Sequence, residues 1–282
     1  MAARMGVDEA WVELAHALAD ASAPVVRRYF RQRTLAVDAK GDASPVTAAD
    51  REAERAMREV IRERAPAHGI YGEEGGLEVP RGGAGVPVEY VWVLDPIDGT
   101  RSFITGRPVF GTLIALVEAA SGEPVIGVIS QPILGERWVG VRGRATEFNG
   151  APCAVRGCAD LGDAYLFATT PHMFEGDAEA KFARLRDAAH TPLYGCDCYA
   201  YGLLASGHCD VVCEADLKPY DYLAHVPIIQ GAGGVVTGWK GEPLRWKPPA
   251  DGDVAKSLEA TTDRVLASGD PAVHRRALQL LA

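Results

Sequence analysis

Apolar side chains recur at helical spacing near the start of the chain. Trp11, Leu14, Ala15 and Leu18 fall on one face of a segment from about Asp8 to Arg31, which predicts an amphipathic helix. A second helix is predicted from about Thr47, with Ala49, Ala53, Ala56, Met57 and Val60 on its apolar side and Pro66 beyond its end. The polar stretch DAKGDASPVTAAD between them reads as a loop. YGEEGG at 71–76 reads as a turn with a carboxylate pair, and LEVPRGGAGVPVEY as a loop or hairpin. The period then shortens. Val91–Asp95, Gly111–Glu118, Val125–Ser130 and Arg137–Arg142 are apolar or alternating runs punctuated by Gly and Pro, and they read as strands. Further on, strands and helices alternate. Ala164–Thr169, Asp210–Glu214 and Val265–Ser268 read as strands. Asp177–His190, Cys198–Ser206 and Asp221–Gln230 read as helices, the last two ended by Gly207 and Gly231, and a final helix closes the chain. Such alternation predicts a more parallel sheet in the second half. A soft boundary falls between residues 145 and 160, with no linker.

A chain of 282 residues is long enough for one large domain or two coupled halves. No apolar run has the length of a membrane span. The first thirty residues lack the basic-then-apolar plan of a signal peptide, so a cytoplasmic protein is expected. The six cysteines, Cys153, Cys158, Cys196, Cys198, Cys209 and Cys213, form no C-x-x-C pair or zinc spacing and are expected as reduced, mostly buried thiols. A net charge of −9 argues against nucleic acid as a partner. It also means that an anionic substrate would need a cation between itself and the protein.

The run VWVLDPIDGTRSF draws attention, because an apolar strand ends in Asp95 and a second carboxylate, Asp98, follows three residues later. These are turn-forming residues, and that reading stands on its own. A second acidic turn, Gly72-Glu73-Glu74-Gly75, lies upstream, and Asp221 stands near a helix start far along the chain. Clustered carboxylates with a backbone carbonyl suit hard divalent cations, Mg²⁺ above all. Two such cations would clamp a phosphate and activate a water. A short helix from Arg101 to Ile104, ended by Gly106, would aim backbone N–H groups at that phosphate, and Gly99 would let it come close. Thr100 also reads as a helix cap. Asp50 fits a capping box with Thr47; a functional reading requires the fold to bring it to Thr100.

GEEGG, DPIDGTRSF and YDYLAHVPIIQGAGG, in this order, resemble the inositol monophosphatase family of Mg²⁺-dependent, lithium-sensitive phosphatases, over nearly the whole chain. The resemblance implies a layered α/β/α/β/α sandwich, usually a homodimer, with two or three Mg²⁺ per site. It implies that Glu73, Asp95, the Ile97 carbonyl, Asp98 and Asp221 ligate metal. It further implies that Asp50 and Thr100, with Glu73, handle the attacking water, and that the N–H groups of Gly99 and Thr100 bind phosphate beside Asp98 and Asp221. The usual Trp-Asp pair is Tyr220-Asp221 here. Residues 1–150 would form a helical pair plus a mainly antiparallel sheet carrying most metal ligands. Residues 151–282 would form an α/β half with the specificity residues and the last ligand.

Specificity is expected in GCDCYAYGLLASGHCDVVCEADLKPYD, 195–221. Asp197 matches a position that is typically small and uncharged in inositol phosphatases, and Glu214 matches the family's substrate-contacting glutamate. Two carboxylates beyond the metals suit a cationic leaving group. Asp197 could alternatively cap the helix that follows it. RSFITGRPVFGTLIAL and this stretch together resemble the histidinol-phosphate phosphatase branch, which implies hydrolysis of histidinol phosphate in histidine biosynthesis. The alternatives are an inositol-1-phosphate phosphatase and a non-catalytic regulator that binds a phosphometabolite. His172 and His225 find no place in this scheme.

Overall fold

Residues 6–34, 36–39, 45–80, 88–249 and 253–282 are described by the structure, a computed structural model. Parts of the 38–50 loop and of the 77–90 segment therefore lie outside the described residues. Helix α1 (Glu9–Tyr29), capped by Asp8, packs against α2 (Ala48–Arg64). Between them run two short paired strands, β1 (Val37–Ala39) and β2 (Pro45–Thr47).

The first sheet contains β3 (Gly69–Gly72), β4 (Gly76–Glu78), β5 (Tyr90–Asp98), β6 (Gly111–Glu118), β7 (Glu123–Gln131), β8 (Glu136–Val141), β9 (Glu147–Phe148) and β10 (Ala151–Pro152). Their order is β10-β9-β8-β7-β6-β5-β3-β4, antiparallel except for β3 with β5. Helix α3 (Thr100–Ile104) interrupts the path from β5 to β6. The second sheet contains β11 (Tyr165–Ala168), β12 (Thr191–Tyr194), β13 (Val211–Glu214), β14 (Val235–Thr237) and β15 (Val265–Ser268), in the order β12-β11-β13-β15-β14. The helices of this half are α4 (Asp177–Ala188), α5 (Tyr199–Ala205), α6 (Pro219–Tyr222), α7 (His225–Gly231), α8 (Val254–Glu259) and α9 (Pro271–Leu281).

Side chains alternate across a strand, and here both faces of the first sheet are buried. Trp92, Leu94, Ile114 and Leu116 meet Leu14, Leu18, Met57 and Ile61 from α1 and α2. Val91, Val93, Leu113 and Ala115 meet Tyr201, Leu204, Ile228 and Ile229 from α5 and α7, which also touch Val212 and Ala267 of the second sheet. On the far side of that sheet, Leu166, Val211 and Leu266 pack on Phe182 and Leu185 of α4 and Val273 and Ala277 of α9. The layers run helices, sheet, helices, sheet, helices, as expected.

Several expectations need correction. The second sheet is only partly parallel: β11 pairs parallel with β12 and β13, whereas β13, β15 and β14 are antiparallel. The helix predicted over Asp221–Gln230 is two helices, α6 and α7, with Leu223 and Ala224 between them. Pro227 explains the break, since it has no N–H to return to Leu223 and is tolerated only near a helix start. Gly231 lies inside α7, and the left-handed residue is Gly233, φ +90°. Strands β9 and β10 and helix α8 carry no strong sequence signal.

Helix α7 and the residues before it lie directly on β7 and β8. A Cβ at Gly127 would run into the Ala224 carbonyl, and one at Gly140 into the backbone of Pro227 and Ile228. Gly127→Ala is therefore expected to destabilise the fold by about 1–3 kcal/mol, the usual cost of overpacking. Thermal unfolding should show a fall in Tm of several degrees. An unchanged Tm would mean that the helix does not need this close approach.

Candidate active site

Residues i and i+3 of a regular strand face opposite ways, so Asp95 and Asp98 should not meet. A bulge brings them together. Between the pairs Asp95↔Leu113 and Asp98↔Gly111 the register shifts, so that Pro96 and Ile97 stand opposite Thr112 alone. Thr112 Oγ1 donates to the Pro96 carbonyl at 2.8 Å and fixes this kink. Pro96 donates no hydrogen bond and is acceptable at a bulge. Asp95 is buried and its Oδ1 accepts the Ile97 N–H at 3.0 Å. Gly99 then turns the chain with φ +88° into α3.

Asp221 arrives from the other half on α6. Its Oδ2 accepts the Lys218 N–H at 2.7 Å. Tyr220 beside it packs against Tyr71 of β3 with ring centroids 5.8 Å apart, and Tyr71 stacks on Trp246; these rings pin the start of α6 to the first sheet. Asp98 Oδ2 accepts the Cys198 N–H at 2.6 Å. One oxygen of each carboxylate is thus tied to a backbone amide. Even so, Asp95, Asp98 and Asp221 bring carboxylate oxygens within 4.8 Å of one another, the one such cluster among the described residues. Glu73, in the loop between β3 and β4, faces Asp95 closely enough to push its carboxyl up.

Burial holds Asp95, Asp98 and Asp221 well above the usual carboxylate range. Their neighbours add to this: Glu73, Asp98 and Asp221 act on Asp95; Asp197 and Asp221 act on Asp98; Glu73 acts on Asp221. Lys218, the lysine closest in sequence, pairs with Asp216 at 3.5 Å instead. A group of oxygen donors that repel one another inside a buried pocket fits a hard divalent cation.

Asp50 has two roles in the geometry. Its Oδ2 accepts the Thr47 N–H at 2.8 Å and the Thr47 hydroxyl at 2.6 Å, completing the capping box of α2. Its Oδ1 lies 3.5 Å from Thr100 Oγ1, which also reaches the Ile97 carbonyl at 3.2 Å. Burial raises the Asp50 carboxyl, with the Thr47 bonds acting against it. Thr100 is not the cap of α3; Gly99 holds that position.

The cleft over these residues has a volume of about 270 Å³ and is lined by Thr100, Thr169, Asp197, Glu214, Asp221 and His225 among others. Two larger hollows lie elsewhere, but the carboxylate cluster is here. Asp197 does not cap α5, whose N-cap is Cys198 with no side-chain bond. It adopts φ +45° and accepts from Ser102 Oγ at 3.1 Å, at the start of α3. A Cβ at Gly99 would lie 3.0 Å from this carboxylate, so Gly99 also makes room for Asp197. Glu214 is buried. Thr169 donates to its Oε1 through N–H at 3.1 Å and hydroxyl at 2.6 Å, and Tyr201 donates to its Oε2 at 2.9 Å. Burial pushes Glu214 up to about 7, against these bonds.

Ser102, Thr169 and Tyr201 were not legible as site residues, and His225 was set aside. Its ring is buried, stacks on Tyr201 at 3.9 Å between centroids, and has no hydrogen-bond partner at either nitrogen. Burial pulls its pKa down to about 3, so the imidazole is neutral. His172 is exposed.

The sequence matches the inositol monophosphatase family over residues 8–276. The chain belongs to the inositol monophosphatase family. A bifunctional phosphatase of Arabidopsis thaliana (IMPL2, chloroplastic) is 52% identical over 94% of this chain and 73% of its own length. A histidinol-phosphatase of Chlorobaculum parvum is 36% identical over 82% of this chain and 86% of its own. Among solved structures, an inositol monophosphatase from Zymomonas mobilis superposes with a TM-score of 0.81 at 44% identity, covering 97% of this chain and 98% of that one. Membership makes this a phosphatase of a metal-dependent family, with an acidic cluster suited to the metal. Among the described residues, no helix is long and apolar enough to cross a membrane.

A carboxyl held protonated in the folded state, but ionised near pH 4 in the unfolded chain, costs stability as pH rises. The raised pKa values of Asp95, Asp98 and Asp221, with Glu214 near 7, make the metal-free protein lose stability from the ordinary carboxylate range up through neutrality. A divalent cation removes that cost and competes with the protons. The rise in Tm on adding Mg²⁺ to EDTA-stripped protein should therefore be larger at pH 8 than at pH 5.5. Equal shifts at both values would contradict this reading of the cluster.

Proposed function

We propose that this phosphatase hydrolyses L-histidinol phosphate to L-histidinol and phosphate, a step of histidine biosynthesis, using two or three Mg²⁺ ions. The observation that carries the reading is the second pair of carboxylates, Asp197 and Glu214, in the same cleft as the Asp95, Asp98 and Asp221 cluster. The phosphate end of a substrate would face the cluster. Its leaving group would face Asp197 and Glu214, where a cationic amine gains charge-assisted hydrogen bonds that a neutral polyol lacks. The names of the two relatives above, a bifunctional phosphatase and a histidinol-phosphatase, support this choice. The likeness to an inositol monophosphatase at 44% identity keeps inositol 1-phosphate as the second reading.

Glu73, Asp95, the Ile97 carbonyl, Asp98 and Asp221 would hold the metal, and a bound divalent cation would supply Lewis-acid polarisation of the phosphoryl group and a lower water pKa. In the mechanism we favour, Thr100 donates its hydroxyl to Asp50 and presents its lone pairs to the attacking water. The proton of that water moves toward the Thr100–Asp50 pair as the oxygen attacks phosphorus in line. The N–H groups of Gly99 and Thr100 steady the phosphoryl oxygens. The departing alkoxide takes a proton from solvent near Asp221, and no covalent phosphoenzyme forms. Residues 1–150 carry most of this apparatus, and residues 151–282 supply Asp221 and the specificity pair. The family likeness supports a homodimer with lithium-sensitive activity as part of this proposal. The edge strand β12, with Leu193 and Tyr194 exposed beside Tyr165, supports a self-association surface.

Asp50→Asn separates capping from catalysis. Asn at this third helical position keeps one oxygen to accept the Thr47 N–H, so the Tm should change by no more than about 1 kcal/mol of stability implies, whereas turnover should fall roughly 10²-fold or more. Turnover close to wild type would leave Asp50 as a capping residue only.

The substrate is tested by phosphate release with Mg²⁺ on histidinol phosphate, inositol 1-phosphate, fructose 1,6-bisphosphate and adenosine 3′,5′-bisphosphate. Histidinol phosphate should have the highest kcat/KM. Asp197→Ala should lower it for that substrate by about 1–3 kcal/mol, the scale of a hydrogen bond to a charged group, and leave inositol 1-phosphate unchanged or improved. A wild-type preference for inositol 1-phosphate would replace the first reading with the second.

A further inference from the structure

Glu73 stands in a three-residue loop at the edge of the first sheet, between β3 and β4, where β4 is the last strand. A ligand on an edge hairpin needs something to hold it. Helix α2 provides this from an unexpected set of side chains. Asp50, Glu54 and Arg58 stand one turn apart on one face, and all three are buried, although charged residues are normally found outside.

Glu54 is 2% exposed, and a buried carboxylate is costly unless it is hydrogen-bonded and paired. Its partners are the loop itself. Glu54 Oε2 accepts the Glu74 N–H at 2.8 Å, and Oε1 accepts the Gly75 N–H at 2.8 Å. Arg58 Nε donates to the same Oε1 at 2.8 Å, and its Nη2 donates to the Gly76 carbonyl at 2.6 Å. Arg58 Nη1 reaches Glu78 on β4 at 3.2 Å. The backbone that follows Glu73 is thus gripped at two N–H groups and one carbonyl by a single ion pair.

The glycines of GEEGG fit this grip. A Cβ at Gly72 would collide with the Glu54 carboxylate. One at Gly75 would lie 2.8 Å from Glu54 Oε1 and 2.9 Å from Arg58 Nη2. Gly76 turns the loop with φ +63°. Gly75 has no positive φ, so its lack of a side chain answers to space and not to backbone conformation.

We propose that Glu54, seconded by Arg58, is a positioning residue for metal binding: it sets the backbone of the 73–76 loop so that Glu73 faces Asp95. Helix α2 then serves the site twice, through Asp50 at its first turn and through Glu54 one turn later. The inference rests on Glu73 being a metal ligand, and it is independent of which phosphate ester is hydrolysed.

The test is Mg²⁺ binding by calorimetry on EDTA-stripped full-length protein, with wild type, Glu54→Gln and Gly75→Ala. Glu54→Gln replaces an acceptor oxygen by an NH₂ group and removes the charge opposite Arg58 Nε, leaving Arg58 only Glu78 as a carboxylate partner. Gly75→Ala keeps every charge and only crowds the grip, so it serves if the first variant does not fold. Both should bind Mg²⁺ about tenfold or more weakly, in the range for groups that orient metal ligands. Both should also need proportionally more Mg²⁺ for half-maximal turnover and recover kcat at high Mg²⁺. The ratio of kcat/KM between histidinol phosphate and inositol 1-phosphate should not move, because Asp197 and Glu214 are untouched. Folded variants that bind Mg²⁺ within twofold of wild type would overturn the proposal. Wild type that binds no Mg²⁺ would instead overturn the metal reading, and the proposal with it.

Discussion

Repulsion among carboxylates is the constraint around which this molecule is built. Asp95, Asp98 and Asp221 converge within 4.8 Å, and burial alone would favour their protonated forms. Among the described residues, relief from a basic side chain comes from Lys218, which acts on Asp221 from a distance while pairing with Asp216. The structure fixes each group with a backbone amide: Ile97 for Asp95, Cys198 for Asp98, Lys218 for Asp221. An amide orients a carboxylate without neutralising it. Oxygen donors therefore stay available to a cation, and a fold carrying this cost must draw its stability elsewhere. The three large apolar interfaces between layers supply it.

The same constraint explains the local irregularities. The bulge at Pro96–Ile97 exists because two carboxylates three residues apart cannot otherwise share a side of β5. The start of α6 at Pro219 sets Asp221 in the first turn of a short helix, where its carboxylate reaches back to Lys218 N–H. Gly127 and Gly140 let α7 lie against β7 and β8, so the half that carries Asp221 is seated on the sheet that carries Asp95. Tyr220 and Tyr71 fix the same seat from the other end.

Much of this was legible in the sequence where a local pattern carries it. The apolar run Val91–Leu94 and the spacing of Trp11, Leu14 and Leu18 forecast a buried strand and a helix that exist. The motif around Asp95 and Asp98 pointed to the cluster, but the bulge depends on pairing with Gly111 and Thr112, which no local pattern specifies. Asp50 looked like a capping residue, and it is one; its approach to Thr100 crosses fifty positions. Thr169 meets Glu214 across forty-five, and nothing in its neighbourhood marks it. Glu54 and Arg58 drew no reading from the sequence. At i, i+4 on a helix they resemble a solvent-exposed pair, yet both are buried against the loop that bears Glu73. Pro227 was visible, and its consequence for a helix interior was available from covalent structure alone.

Charge in the cleft is also arranged along its length. In the proposed function Asp98 belongs to the metal cluster and Asp197 to the leaving-group side, and after burial Asp197 is the main cause of the raised Asp98 carboxyl. The two ends therefore act on each other electrostatically. A phosphate ester with a cationic leaving group carries opposite charges at its two ends. Its anionic end would need metal charge at the cluster, and its cationic end would find Asp197 and Glu214. Neutralising Asp197 with a cationic leaving group would relieve Asp98 of a repelling neighbour, and compensating Asp98 with metal would do the same for Asp197. A neutral polyol would leave Asp197 charged and the first of these effects unused. On the proposed reading, an acidic protein of net charge −9 would select among phosphate esters through the end of the molecule that does not react.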